Sequence, residues 1–118
     1  MPTYLINHLR IPGGVPNEEA LRYLENVEAT VAPHGGRWLA QGDPDTVEGA
    51  WPGSVVLMEF PDRAAARAWY ESAEYQAILP MRTMNTISDL VFIDSLPDGF
   101  SVAGFARDIR GLIASSRP

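Results

Sequence analysis

The sequence predicts an α+β fold, with strands and helices in the order β-α-β-β-α-β and a further helix at the C-terminus. Three observations carry this expectation. Four short runs rich in β-branched and aromatic residues are bounded by Gly, Pro, Asn or Asp. The stretches between them repeat apolar residues at helical spacing. Residues with short oxygen-bearing side chains stand where each helix would begin.

Thr3 to Leu9 (TYLINHL) forms the first strand, closed by Ile11-Pro12-Gly13-Gly14. Asn17 then caps a helix whose first turn carries Glu18 and Glu19, suited to the positive end of the helix dipole. Leu21, Leu24, Val27 and Val31 set its expected apolar face, and Pro33-His34-Gly35-Gly36 stops it near Ala32. Arg37 to Gln41 is a second strand, followed by a polar excursion from Gly42 to Gly53. Ser54 to Phe60 (SVVLMEF) is nearly continuous apolar sequence stopped by Pro61, which suits a central strand. Asp62 caps an alanine-rich helix with Ala65, Ala68 and Trp69 on one face. That helix is expected to break at Ser72 and resume through Tyr75 and Ile78 before Pro80. Asp89 to Ser95 is the fourth strand. Beyond Leu96-Pro97-Asp98-Gly99, Ser101 caps an amphipathic helix through Val102, Phe105, Ile109, Leu112 and Ile113. Residues 1–96 are thus expected to form one domain, with 97–118 as an extension.

This order is the split βαβ, or ferredoxin-like, arrangement, with two helices on one face of a four-stranded antiparallel sheet. The other face is left bare and largely apolar, which in a monomer is a liability. Two such sheets packed face to face form a dimeric α+β barrel, so the expected partner is a second copy of the chain.

Composition narrows the chemistry. With 46% apolar residues in 118, the chain can bury one core unaided. Cysteine is absent, which excludes disulfides, thiolate nucleophiles and cysteine-ligated metals. Every basic residue is arginine, the arginines are dispersed, and the net charge of -6 argues against nucleic acid. No segment approaches the roughly 18 apolar residues of a membrane span, nor does the N-terminus resemble a signal peptide, so a cytoplasmic location without membrane partners is expected. His8 and His34 fall in different elements with no metal-ligand spacing; neither metal nor another cofactor is expected.

Several residues stand out as candidates for chemistry. Glu59 lies in the most apolar strand and shares a face with Val55 and Leu57, so its carboxylate needs a partner: Asn7 or His8 from the first strand, or Arg37 or Gln41 from the second. A desolvated Glu held by Asn or His suits a general base; a structural ion pair explains it equally. His34 precedes two glycines, where it can exchange protons beside exposed amides, although a glycine there more simply ends a helix. Trp69 reads as core. Trp51, Tyr75 and Arg82 are less explained by packing, and Arg82 can take a carboxylate or phosphate unless it pairs with Glu71 or Glu74. The expected site joins Glu59, Asn7 and His34 as proton-handling groups to Arg37, Trp51, Tyr75 and Arg82 as ligand contacts.

The segments Ala32 to Trp38, Glu48 to Trp51, Val55 to Pro61 and Ala68 to Tyr75, together with Arg82, carry a family resemblance. From Thr3 to Asp94 the chain resembles domain-of-unknown-function family 1330, which is similar to the dimeric α+β barrel superfamily. That superfamily includes antibiotic-biosynthesis monooxygenases, muconolactone isomerases, haem-degrading monooxygenases and chlorite dismutases. The resemblance implies the fold and the dimer without assigning a reaction. The Ile11 to Asn17 loop and the helix after Pro97 depart from the family pattern. Three readings stay open: a cofactor-independent isomerase or monooxygenase acting on a small hydrophobic or aromatic metabolite, a non-catalytic ligand-binding protein, and an assembly module working through its last helix.

Overall fold

Each strand of the sheet arises where the sequence alternates, and each helix where an oxygen-bearing side chain can seal the first turn. In the computed structural model, which describes residues 1–117, the strands are β1 (Thr3–Arg10), β2 (Arg37–Gly42), β3 (Ser54–Phe60) and β4 (Ile87–Asp94). The helices are α1 (Glu18–Val31), α2 (Arg63–Glu71), α3 (Ala73–Thr83) and α4 (Val102–Ser115). Asn17, Asp62, Ser72 and Ser101 cap α1, α2, α3 and α4, each side chain accepting from the backbone N–H three residues on. The four strands form one antiparallel sheet in the order β2-β3-β1-β4, the ferredoxin-like arrangement expected from the element order.

Strand alternation divides the sheet into two unlike faces. Thr3, Leu5 and Asn7 of β1 and Val56, Met58 and Phe60 of β3 are buried under the helices. Trp69 fills the centre of this layer, its ring centroid 4.1 Å from that of Tyr75 and 5.4 Å from that of Phe60. Its indole N–H is satisfied by Thr30 Oγ1 at 3.0 Å. Burying side chains of this size stabilises the fold by roughly 1.5–3 kcal/mol each. Gly36 lets β2 start directly over this core, because a Cβ there would meet Val31 Cγ1 at 2.5 Å and Phe60 Cε1 at 2.6 Å. Gly35 before it, at φ 73°, ends the helical turn as a left-handed glycine should.

The opposite face carries Tyr4, Ile6, His8, Val55, Leu57 and Glu59 by alternation, with Ile87, Val91 and Ile93 of β4 each more than half exposed. No helix covers it. Helix α4 contributes no buried residue. The radius of gyration of 17.9 Å exceeds the roughly 13.5 Å of a compact chain this long, because α4 stands away from the body. Among the described residues no helix is long and apolar enough to cross a membrane.

The structure corrects the sequence reading at one helix face and two boundaries. The inward stripe of α1 is Ala20, Val27 and Val31 with Tyr23 beside them, whereas Leu21 and Leu24 are about two-fifths exposed. At about 100° per residue, Ala20 rather than Leu21 falls in line with Val27 and Val31. Helix α3 runs through Pro80 to Thr83, since the carbonyl of Gln76 that loses its donor lies on an exposed residue open to water. Strand β4 begins at Ile87, two residues before Asp89, extending its ladder to Arg10.

Candidate functional site

The extra turn of α3 beyond Pro80 determines the site. Tyr75 and Arg82 are seven residues apart and therefore share one helix face, and that face packs against α1. Tyr75 is fully buried and Arg82 only 7% exposed. The carbonyl of Arg82 accepts from Thr86 N at 3.0 Å and Thr86 Oγ1 at 2.7 Å, fixing the helix end. Arg82 Nε donates to Tyr75 Oη at 3.3 Å, and the Tyr75 and Tyr23 hydroxyls lie 2.8 Å apart. The guanidinium also sits 5.9 Å from the centre of the Tyr23 ring. No carboxylate is within ion-pairing distance of Arg82 among the described residues.

Tyr23, Arg82 and Thr86 border a cavity of about 580 Å³ between α1 and the helix-covered face of the sheet. Its apolar walls include Val56 and Met58 of β3, Leu90 of β4 and Val27 of α1, and Trp38 and Tyr23 add rings. Asn7 stands in the middle strand wall, 6% exposed, and its Oδ1 is sealed from solvent without a hydrogen-bond partner. A buried polar atom left unpaired is rare, as is a buried cation without an anion, and here both belong to residues that line one cavity.

The electrostatics follow from burial. Desolvation first, and the adjacent Tyr75 second, push the Tyr23 phenol far above its ordinary range, so it stays protonated. For Arg82, burial opposes the charge, but the Tyr75 and Tyr23 phenols more than offset it and hold the guanidinium above its usual range. The cavity therefore presents the Arg82 charge, the protonated Tyr23 phenol and an unused Asn7 carboxamide.

Of the residues expected at the site, Asn7, Arg37 and Arg82 line this cavity. Tyr75 is a core residue beneath it, acting on the cavity through its hydroxyl contacts with Arg82 and Tyr23. Glu59, expected to be the perturbed ionisable group of the pocket, lies on the open sheet face, paired with Arg37 Nη2 at 3.3 Å. Its register opposite Tyr4 and Arg37 forces this placement, because Asn7 stands opposite Val56 and so faces the other way. Trp51 also belongs to the open side, its ring 4.2 Å from that of His8. There the Arg10 guanidinium can only donate, so His8 Nδ1 accepts from it at 2.9 Å and Nε2–H donates to Pro52 O at 2.6 Å. His34 ends a 3-10 turn and does not border the cavity.

Tyr23 is the wall residue that the sequence reading passed over. The signal was its position between Ala20 and Val27 at three- and four-residue spacing, which a stripe drawn through Leu21 obscures.

Comparison with known proteins agrees with this architecture. A structure of a protein of unknown function from Rhodopseudomonas palustris superposes with a TM-score of 0.65 at 20% identity, covering 81% of this chain and 83% of that one. A dimeric ferredoxin-like protein of unknown function from Thermobifida fusca gives 0.58 at 14% identity, over 80% and 92% of the two chains. SnoaB, a cofactor-independent oxygenase from Streptomyces nogalater, gives 0.56 at 10% identity, over 85% and 97%. At these identities the likeness shows the fold. No functionally curated protein matches the sequence significantly. Residues 2–96 match the family model described as a domain of unknown function, DUF1330, and the chain belongs to that family.

Proposed function

We propose that the protein is a homodimer that binds a small organic molecule between α1 and the sheet. The observation that carries this reading is that Arg82, buried without an anion among the described residues, and Asn7, whose Oδ1 is unpartnered, line one largely apolar cavity. The cavity volume is within the range of about 300–1,000 Å³ usual for small-molecule sites. The dimer is supported by the uncovered face bearing Ile87, Val91 and Ile93 and by the dimeric relatives of the same fold.

Two measurements test it. Trp38 and Trp69 border the cavity, so a bound ligand quenches tryptophan emission and raises the melting temperature by mass action. A broad panel of aromatic and alicyclic metabolites that gives neither signal refutes the pocket. Sedimentation velocity of the wild type and of Val91→Asp tests the dimer: the wild type sediments as a dimer and the variant as a monomer. A monomeric wild type refutes the sheet-to-sheet contact.

A second reading, catalysis without a cofactor, is favoured by the fold shared with SnoaB. In this reading Arg82 stabilises negative charge developing on a substrate oxygen while Asn7 orients the substrate. Incubating a bound ligand in deuterated, air-saturated buffer separates the two: recovery of unchanged, undeuterated ligand supports binding alone, whereas deuterium exchange or oxygen uptake supports an enzyme.

A further inference from the structure

We infer that the ligand is a monocarboxylate on an apolar, ring-containing frame that also bears a hydroxyl or amino hydrogen-bond donor. This deepens, and rests on, the small-molecule-binding reading above. The charge requirement comes from Arg82, whose burial would be costly without an anion and whose one side-chain hydrogen bond among the described residues runs from Nε to the Tyr75 hydroxyl. Arginine has five N–H donors, so both Nη groups remain to hold the two oxygens of a planar carboxylate.

A single negative charge matches the site. Arg37, the second cation on the lining, is engaged with Glu59, and Glu28 adds a negative charge to the cavity wall. A dianionic phosphate would leave charge unpaired among apolar walls, in a protein that already carries a net charge of -6. The second requirement comes from Asn7. Its unpartnered Oδ1 is an acceptor, which a turn of the carboxamide about χ2 brings to a ligand donor. Between these two polar points the cavity offers aliphatic side chains with the rings of Tyr23 and Trp38, which suits a flat apolar frame.

Titration calorimetry on the full-length protein tests this with matched probes: hydroxybenzoates, hydroxyphenylacetates and hydroxynaphthoates, their carboxamides, their methyl ethers and the corresponding aryl phosphates. The carboxylate is expected to bind at least about tenfold more tightly than its carboxamide, and the free hydroxyl about tenfold more tightly than its methyl ether. Arg82→Gln removes the first preference and keeps the second; Asn7→Leu does the reverse. The wild-type comparisons stand even if a variant fails to fold. Carboxamides or phosphates binding as tightly as carboxylates overturn the inference while leaving the pocket reading intact. No binding by any probe, charged or neutral, overturns both.

Discussion

Replacing Asn7 by leucine is expected to stabilise the ligand-free protein while removing its preference for hydroxylated ligands. Asn7 lies in a middle strand, between Val56 of β3 and Leu90 of β4 in the register, and is 6% exposed. An unsatisfied buried polar atom costs about 1–3 kcal/mol, and leucine keeps the branched skeleton of asparagine with no polar atom to satisfy, its greater bulk taken up by the adjoining cavity. Its neighbours on that face, Leu5, Val56 and Met58, are apolar, so the added carbon surface is buried against carbon. A net gain of about 1–2 kcal/mol follows, which for a domain near 100 residues raises the melting temperature by roughly 4–8 °C. The assay is scanning calorimetry at one fixed protein concentration, because association makes the midpoint concentration-dependent. An unchanged or lowered midpoint would falsify the premise that the Asn7 oxygen is unpaired in the native state. The combination of gained stability and lost binding is what a residue retained for function produces.

Gly36→Ala is expected to destabilise by about 1–3 kcal/mol, since its methyl would overlap Val31 and Phe60, both essentially fully buried; a urea midpoint equal to wild type would contradict the packing described. Because the Tyr23 phenol is raised above its ordinary value of 10.0, the folded state holds that proton more tightly than the unfolded chain. The associated stability is intact below about pH 10 and lost as pH rises beyond it. Guanidinium melts between about pH 9 and pH 11.5 should therefore show a steeper alkaline loss in wild type than in Tyr23→Phe, and parallel curves would refute this. Ile109→Asp should leave the unfolding free energy of the folded body within about 0.5 kcal/mol of wild type, because α4 buries no residue; a large loss would mean that α4 packs on the body.

Local chemistry was legible wherever the chain itself supplies the partner. Asn17, Asp62, Ser72 and Ser101 were all readable as caps because each accepts from an amide three residues away. The break between α2 and α3 was visible in the same way, as was Trp69 on the inner face of its helix. The site was less legible. Glu59 and Asn7 were expected together because β1 and β3 are neighbours, which they are. Neighbouring strands do not specify which residues share a face, and β3 is apolar on both sides, so its composition gave no sign of which face the helices cover. Arg82 was singled out, but Pro80 suggested an earlier helix end and so hid that Arg82 shares a helix face with Tyr75, because the exposed Gln76 tolerates the lost bond.

By itself, the sequence determined the element order, the helix starts and the class of fold, because periodicity and capping act within a few residues and bury what alternation presents. It also settled the absence of thiol chemistry, a matter of composition. Only the tertiary structure decided where the cavity lies and which charge it holds. Asn7, Tyr23 and Arg82 are separated by 16 and 59 residues in turn, and their meeting depends on strand register, on the rotation of α1 and on the last turn of α3. Apart from the Ala20–Tyr23–Val27 spacing in α1, these are fixed by packing between elements distant in sequence, which leaves no local signature in the chain.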